Sequence, residues 1–212
     1  MHANPPDAKS GGPVRVDIFA TCPLKAVTLK TKPGNVPAIF QDSGRVLLQV
    51  PIEFKGHESI DISWFKAAQQ NLTATDYGSR CFPCQRDGLC SSQTQLREAL
   101  KNLQTIPKII KAPWLGEWQF MVLYAFYKQE DGVVRTRMFR GIWEDAATGA
   151  AASTLGSWLG KQKGRGMWRI GIVQGVEVGR RSDIEVQVEV GSDGEVKKIE
   201  LGGEVMEGSV AV

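Results

Sequence analysis

Histidine is scarce in this chain. Only His2 and His57 occur among 212 residues, far apart, so a metal site would have to rest on the four cysteines, Cys22, Cys81, Cys84 and Cys90. Cys81-Phe82-Pro83-Cys84 is a C-x-x-C with Cys90 close by, but zinc normally takes a fourth ligand from a second paired spacing, and the sequence has none. A redox C-x-x-C belongs at a strand-to-helix junction, whereas this one lies in a Gly/Pro/Ser-rich stretch. No metal is expected, and the thiols read as free groups on a loop. Long apolar runs are also missing. No stretch approaches the length of a membrane span, and Met1 to Pro6 carries no hydrophobic signal core. The expectation is a cytoplasmic protein without membrane contact. An excess of one charge sign is missing too. Lys and Arg number 26 against 23 Asp and Glu, and the pI is about 8.7. Apart from Lys161, Lys163, Arg165 and Arg169 the basic residues are scattered, with no aromatic-plus-basic stripe, so no nucleic-acid partner is expected.

What is present is the profile of a globular protein, 42% hydrophobic and 23% charged, long enough for one large domain or two small lobes. Residues 1–13 read as a disordered leader. Residues 14–60 read as strands: Val14, Val16 and Ile18 alternate with polar neighbours, Ala26 to Thr31 is β-rich, and two runs, 36–41 and 45–50, flank the turn Asp42-Ser43-Gly44. Residues 61–116 read as a helical and loop connection. Within it 62–72 is a short helix candidate, 73–92 a polar loop, and 92–103 a helix with Leu96, Leu100 and Leu103 on one face and Ser92 and Gln95 at capping-box spacing.

The last hundred residues, 117–212, form the most coherent unit. Two long β-rich runs, 117–127 and 133–139, are joined by Glu130-Asp131-Gly132. A helix follows over roughly 148–160, then strands at 168–174, 184–190 and 196–201. The order is ββαβββ. Ala, Gly and Ser occupy many faces of the helix, so a sheet can approach it closely from several sides. The prediction is an α+β fold in which a curved mixed sheet wraps one central helix.

The start of that helix is the richest stretch of the chain: Glu144-Asp145-Ala146-Ala147-Thr148-Gly149-Ala150-Ala151. Two carboxylates precede a helix N-terminus whose first turn has no bulky side chain. Free backbone N–H groups and the positive dipole end make such a place an anion pocket, and an acid beside it can give or take a proton. The same residues are also what an ordinary N-cap looks like. Gly160 is placed to end the helix.

The C-terminal half resembles the PhzF-like family of phenazine-biosynthesis-type isomerases, relatives of diaminopimelate epimerase. The resemblance rests on Arg137-Met138-Phe139, on Glu144 to Ala151, on Gln174-Gly175, on Gly179-Arg180-Arg181-Ser182 and on Gly202-Gly203, in the family's order and spacing. More weakly, Leu29 to Val36 looks like the family's Thr-x-x-Gly strand turn. The resemblance implies two similar lobes, each a curved sheet around a helix, with both helix N-termini aimed at a cleft. It also implies cofactor-independent acid/base proton transfer on a small anionic substrate. Of the family's local catalytic pair only Asp145 is kept, so by this resemblance Asp145 is the catalytic candidate, with Glu144 beside it a candidate for a recruited base. Thr148, Gly149, Ala150, Ala151, Gln174, Gly175 and Arg180 are the substrate-binding ones.

The chain departs from the family pattern. The family's principal Glu lies in an N-terminal lobe before the Thr-x-x-Gly strand, with a Gly-His-x-Thr element on that lobe's helix. Residues 1–13 hold no Glu, and Gly56-His57-Glu58-Ser59 follows the hairpin rather than preceding it. The family's Pro and Ser are Ala146 and Ala150 here, and Arg181 stands where Pro is usual. The N-terminal lobe therefore reads as truncated beside a complete C-terminal lobe. Its sheet would expose an apolar face for residues 61–113 or a partner to cover, and a homodimer is the candidate assembly. Two functions compete. One is an isomerase using Asp145, with Glu53, Glu58 or Glu144 as a recruited base. The other is a catalytically impaired relative that binds a ligand or pairs with another subunit.

Overall fold

The computed structural model describes residues 26–31, 34–41, 44–51, 55–56, 67, 69–73, 77–86, 89–96, 98–105 and 121–204. The sequence readings of 1–25 and most of the helix candidate at 62–72 lie outside these residues. Among the described residues twelve strands are formed: β1 (Ala26–Thr31), β2 (Gly34–Phe40), β3 (Arg45–Gln49), β4 (Lys55–Gly56), β5 (Tyr77–Arg86), β6 (Leu89–Leu96), β7 (Met121–Lys128), β8 (Val134–Arg140), β9 (Trp143–Asp145), β10 (Gly166–Gln174), β11 (Ser182–Val190) and β12 (Val196–Glu204). A 3-10 helix covers Glu98–Asn102, and the α-helix α1 covers Gly149–Lys163. The strands join in one mixed sheet, ordered β1-β2-β3-β12-β11-β10-β8-β7-β6-β5-β4, with β9 paired to β8. The β8–β10 and β6–β7 pairs are parallel and the others antiparallel.

The sheet curves around α1. The helix touches β10, β11 and β12 and also β5 and β6, which stand several strands away across the sheet. Its buried residues run almost unbroken from Ala151 to Ser157 and include Gly160, so it is covered on most sides. Small side chains make that enclosure fit. A Cβ on Gly156 would lie 2.6 Å from Cγ1 of Val186 on β11, so that strand sits where only a glycine leaves room. The core around the helix takes alternate residues from each strand, as the two-residue period of a half-buried sheet requires: Val122, Tyr124 and Phe126 of β7, Ile170 and Ile172 of β10, and Val186, Val188 and Val190 of β11. Trp158 meets the ring of Phe126 edge to face at 6.0 Å. The opposite face of β7 and β8 is buried too, where Leu123 and Phe139 share the interior with Leu100 of the 3-10 helix and Leu103 just after it.

Three readings of the sequence are corrected. Residues 73–92 are not a loop, because β5 and the first half of β6 form a hairpin there. Their polar composition hides the strands; the parallel ladder from Cys90↔Met121 to Gln95↔Phe126 supplies hydrogen bonds that periodicity does not reveal. Among the described residues β4 pairs with Cys84 and Gln85 of β5, so Pro83, which has no N–H, lies beyond that pairing. The helix candidate at 92–103 is strand to Leu96, followed by the short 3-10 turn that buries Leu100. Finally, α1 runs past Gly160 to Lys163. Gly160 is used for close approach to Val188, and Gly164, at φ 84°, ends the helix by donating its N–H to the carbonyl of Lys161.

Candidate active site at the N-terminus of helix α1

β8 turns back at Gly141-Ile142 into β9, which delivers Glu144 and Asp145 just ahead of α1. The two carboxylates meet different surroundings. Glu144 is buried against Arg137: Nε donates to Oε1 at 2.7 Å and Nη2 to Oε2 at 2.6 Å, with both side chains 7% exposed. Arg137 also donates through Nη1 to the carbonyls of Leu100 at 3.2 Å and Leu103 at 2.7 Å, and its guanidinium lies 4.8 Å from the Phe139 ring centre. Glu144 thus completes a clamp that fixes the 3-10 segment to β8. Asp145 is exposed. Among the described residues its Oδ2 accepts the Thr148 hydroxyl at 2.7 Å, and its Oδ1 accepts only a long backbone contact from Ala147, 3.4 Å.

Thr148 is the N-cap of α1 and has extended backbone, φ −128° and ψ 92°. Its carbonyl accepts the Ala152 N–H at 3.0 Å, yet its hydroxyl makes no bond to the helix. The first-turn N–H groups of Gly149, Ala150 and Ala151 therefore have no side-chain cap, and the first turn carries no acid. Gly149 and Ala150 are half-buried, and Ala151 is fully buried.

Behind this turn stands Gln174, the last residue of β10, with no exposed surface. Nε2 donates to the Asp145 backbone carbonyl at 2.7 Å and to the Thr148 hydroxyl oxygen at 3.1 Å, while Oε1 accepts the Tyr124 hydroxyl at 3.0 Å. The sequence reading gives Gln174 to the substrate; its amide is occupied by protein groups. Tyr124, absent from the sequence reading, is completely buried. Burial pushes its hydroxyl far above the ordinary phenol range, against a side-chain contact with Thr136 that lowers it, and the Asp145 charge adds to the rise. Tyr124 stays protonated and remains a donor to Gln174. The only sign of it in the sequence is an aromatic hydroxyl on the inward register of an apolar strand.

Gly175 explains how the next loop reaches the site. Its φ is +77°, and a Cβ there would lie 2.6 Å from the Ala146 carbonyl oxygen. The chain from 175 to 180 folds over that point, closed by the Arg180 N–H donating to the Gly175 carbonyl at 2.9 Å and tied to β8 by Arg135 and Glu177 at 2.7 Å. Arg180 itself is exposed at the end of the loop. The predicted residues Asp145, Thr148, Gly149, Ala150, Ala151, Gln174 and Gly175 are thus gathered around one helix end, with Arg180 on the loop beside it. Glu144 is drawn off to Arg137. Ile142 and Trp143, 66% and 75% exposed, stand next to Asp145 in the chain. Glu53, Glu58 and His57 lie outside the described residues. Cys81 and Cys84 fall on β5 and Cys90 on β6; among the described residues no three His, Cys, Asp or Glu side chains converge as a metal site.

Residues 24–208 match the family model of phenazine biosynthesis-like (PhzC-PhzF) proteins. The chain belongs to that family. Solved structures agree on the fold. A phenazine biosynthesis protein of the PhzF family from Bacillus anthracis aligns at TM-score 0.58 and 16% identity, over 84% of this chain and 65% of that one. A putative phenazine biosynthesis PhzC/PhzF protein from Clostridium difficile strain 630 aligns at 0.52 and 16%, over 92% and 68%. A probable proline racemase from Agrobacterium radiobacter K84, solved with bound carbonate, aligns at 0.50 and 17%, over 84% and 57%. This chain therefore spans about two thirds of the length of its PhzF-family neighbours. No curated protein matches it. Among the described residues no helix is long and apolar enough to cross a membrane.

Proposed function

We propose that this PhzF-family chain is a cofactor-independent isomerase or epimerase that moves a proton on a small, carboxylate-bearing metabolite in a biosynthetic reaction, in the cytoplasm. The observation that carries this reading is Asp145: an exposed carboxylate held beside an α-helix whose first turn lacks a side-chain cap. The uncapped N–H groups of Gly149 to Ala151 and the positive dipole end favour a substrate carboxylate there, with Arg180 carried as an exposed cation on the adjoining 175–180 loop. Asp145 then serves as the acid or base at the carbon next to that group. Glu144, with both oxygens held by Arg137, is a strut in this proposal rather than a second base.

The test is deuterium incorporation from heavy water into a panel of small carboxylic acids, followed by NMR. Wild type is expected to exchange one carbon-bound proton of at least one acid. Asp145→Asn is expected to abolish exchange while the fold stays intact, since an amide oxygen still accepts from Thr148. Exchange that persists in Asp145→Asn removes Asp145 from the chemistry. Wild type inert on the whole panel favours the second reading, a ligand-binding or subunit-pairing relative. The exposure of Ile142 and Trp143 beside the site supports that reading.

A further inference from the structure

The side-chain chain running from Tyr124 to Asp145 has only one consistent set of proton positions. The Gln174 atom at 2.7 Å from the Asp145 backbone carbonyl must be the amide nitrogen, because a carbonyl oxygen only accepts. The other amide atom is then the oxygen, and it faces the Tyr124 hydroxyl, which donates to it. That same nitrogen, having no lone pair to offer, also points at the Thr148 hydroxyl oxygen at 3.1 Å. The single hydroxyl proton of Thr148 cannot go back to Gln174. It goes forward to Oδ2 of Asp145, 2.7 Å away.

We infer that Gln174 is a positioning residue that divides the two oxygens of Asp145 between an anchoring role, Oδ2, and a proton-transferring role, Oδ1. It does so by dictating the direction of the Thr148 hydroxyl. Oδ1 is left with the 3.4 Å contact from Ala147 and is the oxygen free to exchange a proton with a ligand. One device therefore serves two ends. The hydroxyl that would ordinarily cap α1 is drawn away to Asp145, so the first-turn N–H groups stay open while the neighbouring carboxylate is oriented. The inference rests on Asp145 being the proton-transferring group; the fixed hydroxyl direction itself does not.

The experiment records the carboxyl 13C signal of Asp145 at neutral pH in protein with labelled aspartate, assigned by its loss in Asp145→Asn. The variants are Thr148→Val, which has the shape without the donor, Thr148→Ser, which keeps it, and Gln174→Glu, which keeps the shape but turns a donor into an acceptor. Thr148→Val and Gln174→Glu are expected to shift the Asp145 signal while Asp131, Asp183 and Asp193 stay in place, and Thr148→Ser is expected to leave it near wild type. An Asp145 signal that does not move in Thr148→Val overturns the inference, as does an equal shift in Thr148→Ser. If Gln174→Glu fails to fold, the Thr148 pair decides alone. On any acid that wild type exchanges, Thr148→Val is expected to lower kcat on the order of tenfold to a hundredfold, with KM nearly unchanged and recovery in Thr148→Ser, as for loss of a hydrogen bond to a charged group. A loss confined to KM would place Thr148 in ligand binding and overturn the positioning role. An inert wild type would defeat the isomerase proposal, and the 13C signals would still decide the hydroxyl direction.

Discussion

Arg137 and Glu144 lie on neighbouring strands of one hairpin, β8 and β9, and meet side by side through two parallel N–H···O contacts of 2.7 and 2.6 Å. Glu144 stands one residue before Asp145, so the strand that presents the candidate acid is held by a buried ion pair. Removing one partner leaves the other charge buried without compensation. Glu144→Ala is expected to lower the unfolding free energy by about 3 kcal/mol in a urea titration. It should also loosen residues 98–105, whose carbonyls Arg137 holds.

Gly175→Ala is expected to be harmful out of proportion to one methyl group. The left-handed φ and the nearby Ala146 carbonyl both resist a Cβ. A loss on the order of 2 kcal/mol is expected by thermal or chemical denaturation. The hydrogen bond from the Gln174 side-chain amide to the Asp145 backbone carbonyl should weaken with it, visible as a shift of the Asp145 carbonyl 13C signal.

Gly156→Ala sets two effects against each other. Alanine gains about 1 kcal/mol of helix propensity over glycine. Its methyl would lie 2.6 Å from Cγ1 and 2.9 Å from Cβ of Val186 in a covered core, and overpacking of that kind costs about 1–3 kcal/mol. Net destabilisation is expected. Val186→Ala should relieve it, giving a favourable coupling energy in a double-mutant cycle.

Glu185 supplies the pH dependence. It is buried on β11 between Arg169 at 2.7 Å and Arg45 at 2.9 Å. Burial pushes its carboxyl up, but the hydrogen bonds from Arg169 and Gln187 and the charge of Arg45 outweigh this and hold it below the usual glutamate value. A carboxyl lowered in the folded state contributes stability above its unfolded value, about 4.3, and loses that contribution as pH falls through the folded value. Melting temperature should drop as pH is taken below about 5. Glu185→Gln should be less stable at neutral pH and show a shallower acid limb.

The legible parts of the sequence were those where local chemistry and final structure agree. The Ala/Gly/Ser run of α1 announced both a helix and its close enclosure, because only small residues let β11 approach Gly156 as it does. The gathering of Asp145, Thr148, Gln174 and Gly175 was legible through a pattern of spaced motifs. The illegible parts depended on partners distant in sequence. β5 and β6 are polar and contain Pro83, and they are strands because β7 pairs with β6. Glu144 read as a catalytic candidate because nothing local tells that Arg137 will be anchored by the carbonyls of residues 100–103. Tyr124 carries no local signal because its partner is Gln174, fifty residues on.

β3 is joined to the rest of the sheet through β12, with Gln49 opposite Glu200 and Arg45 opposite Glu204. Ribosomal synthesis runs in the other order. When β1, β2 and β3 emerge, the strand that will flank them is still about 150 residues from being made, a wait on the order of ten seconds to half a minute at bacterial or eukaryotic elongation rates. Throughout that interval the outer edge of β3 offers unpaired N–H and C=O groups to any neighbouring chain. That edge closes when 196–204 arrives and completes the ladder, so the partner of β3 becomes available only after the strands between them in sequence have been made.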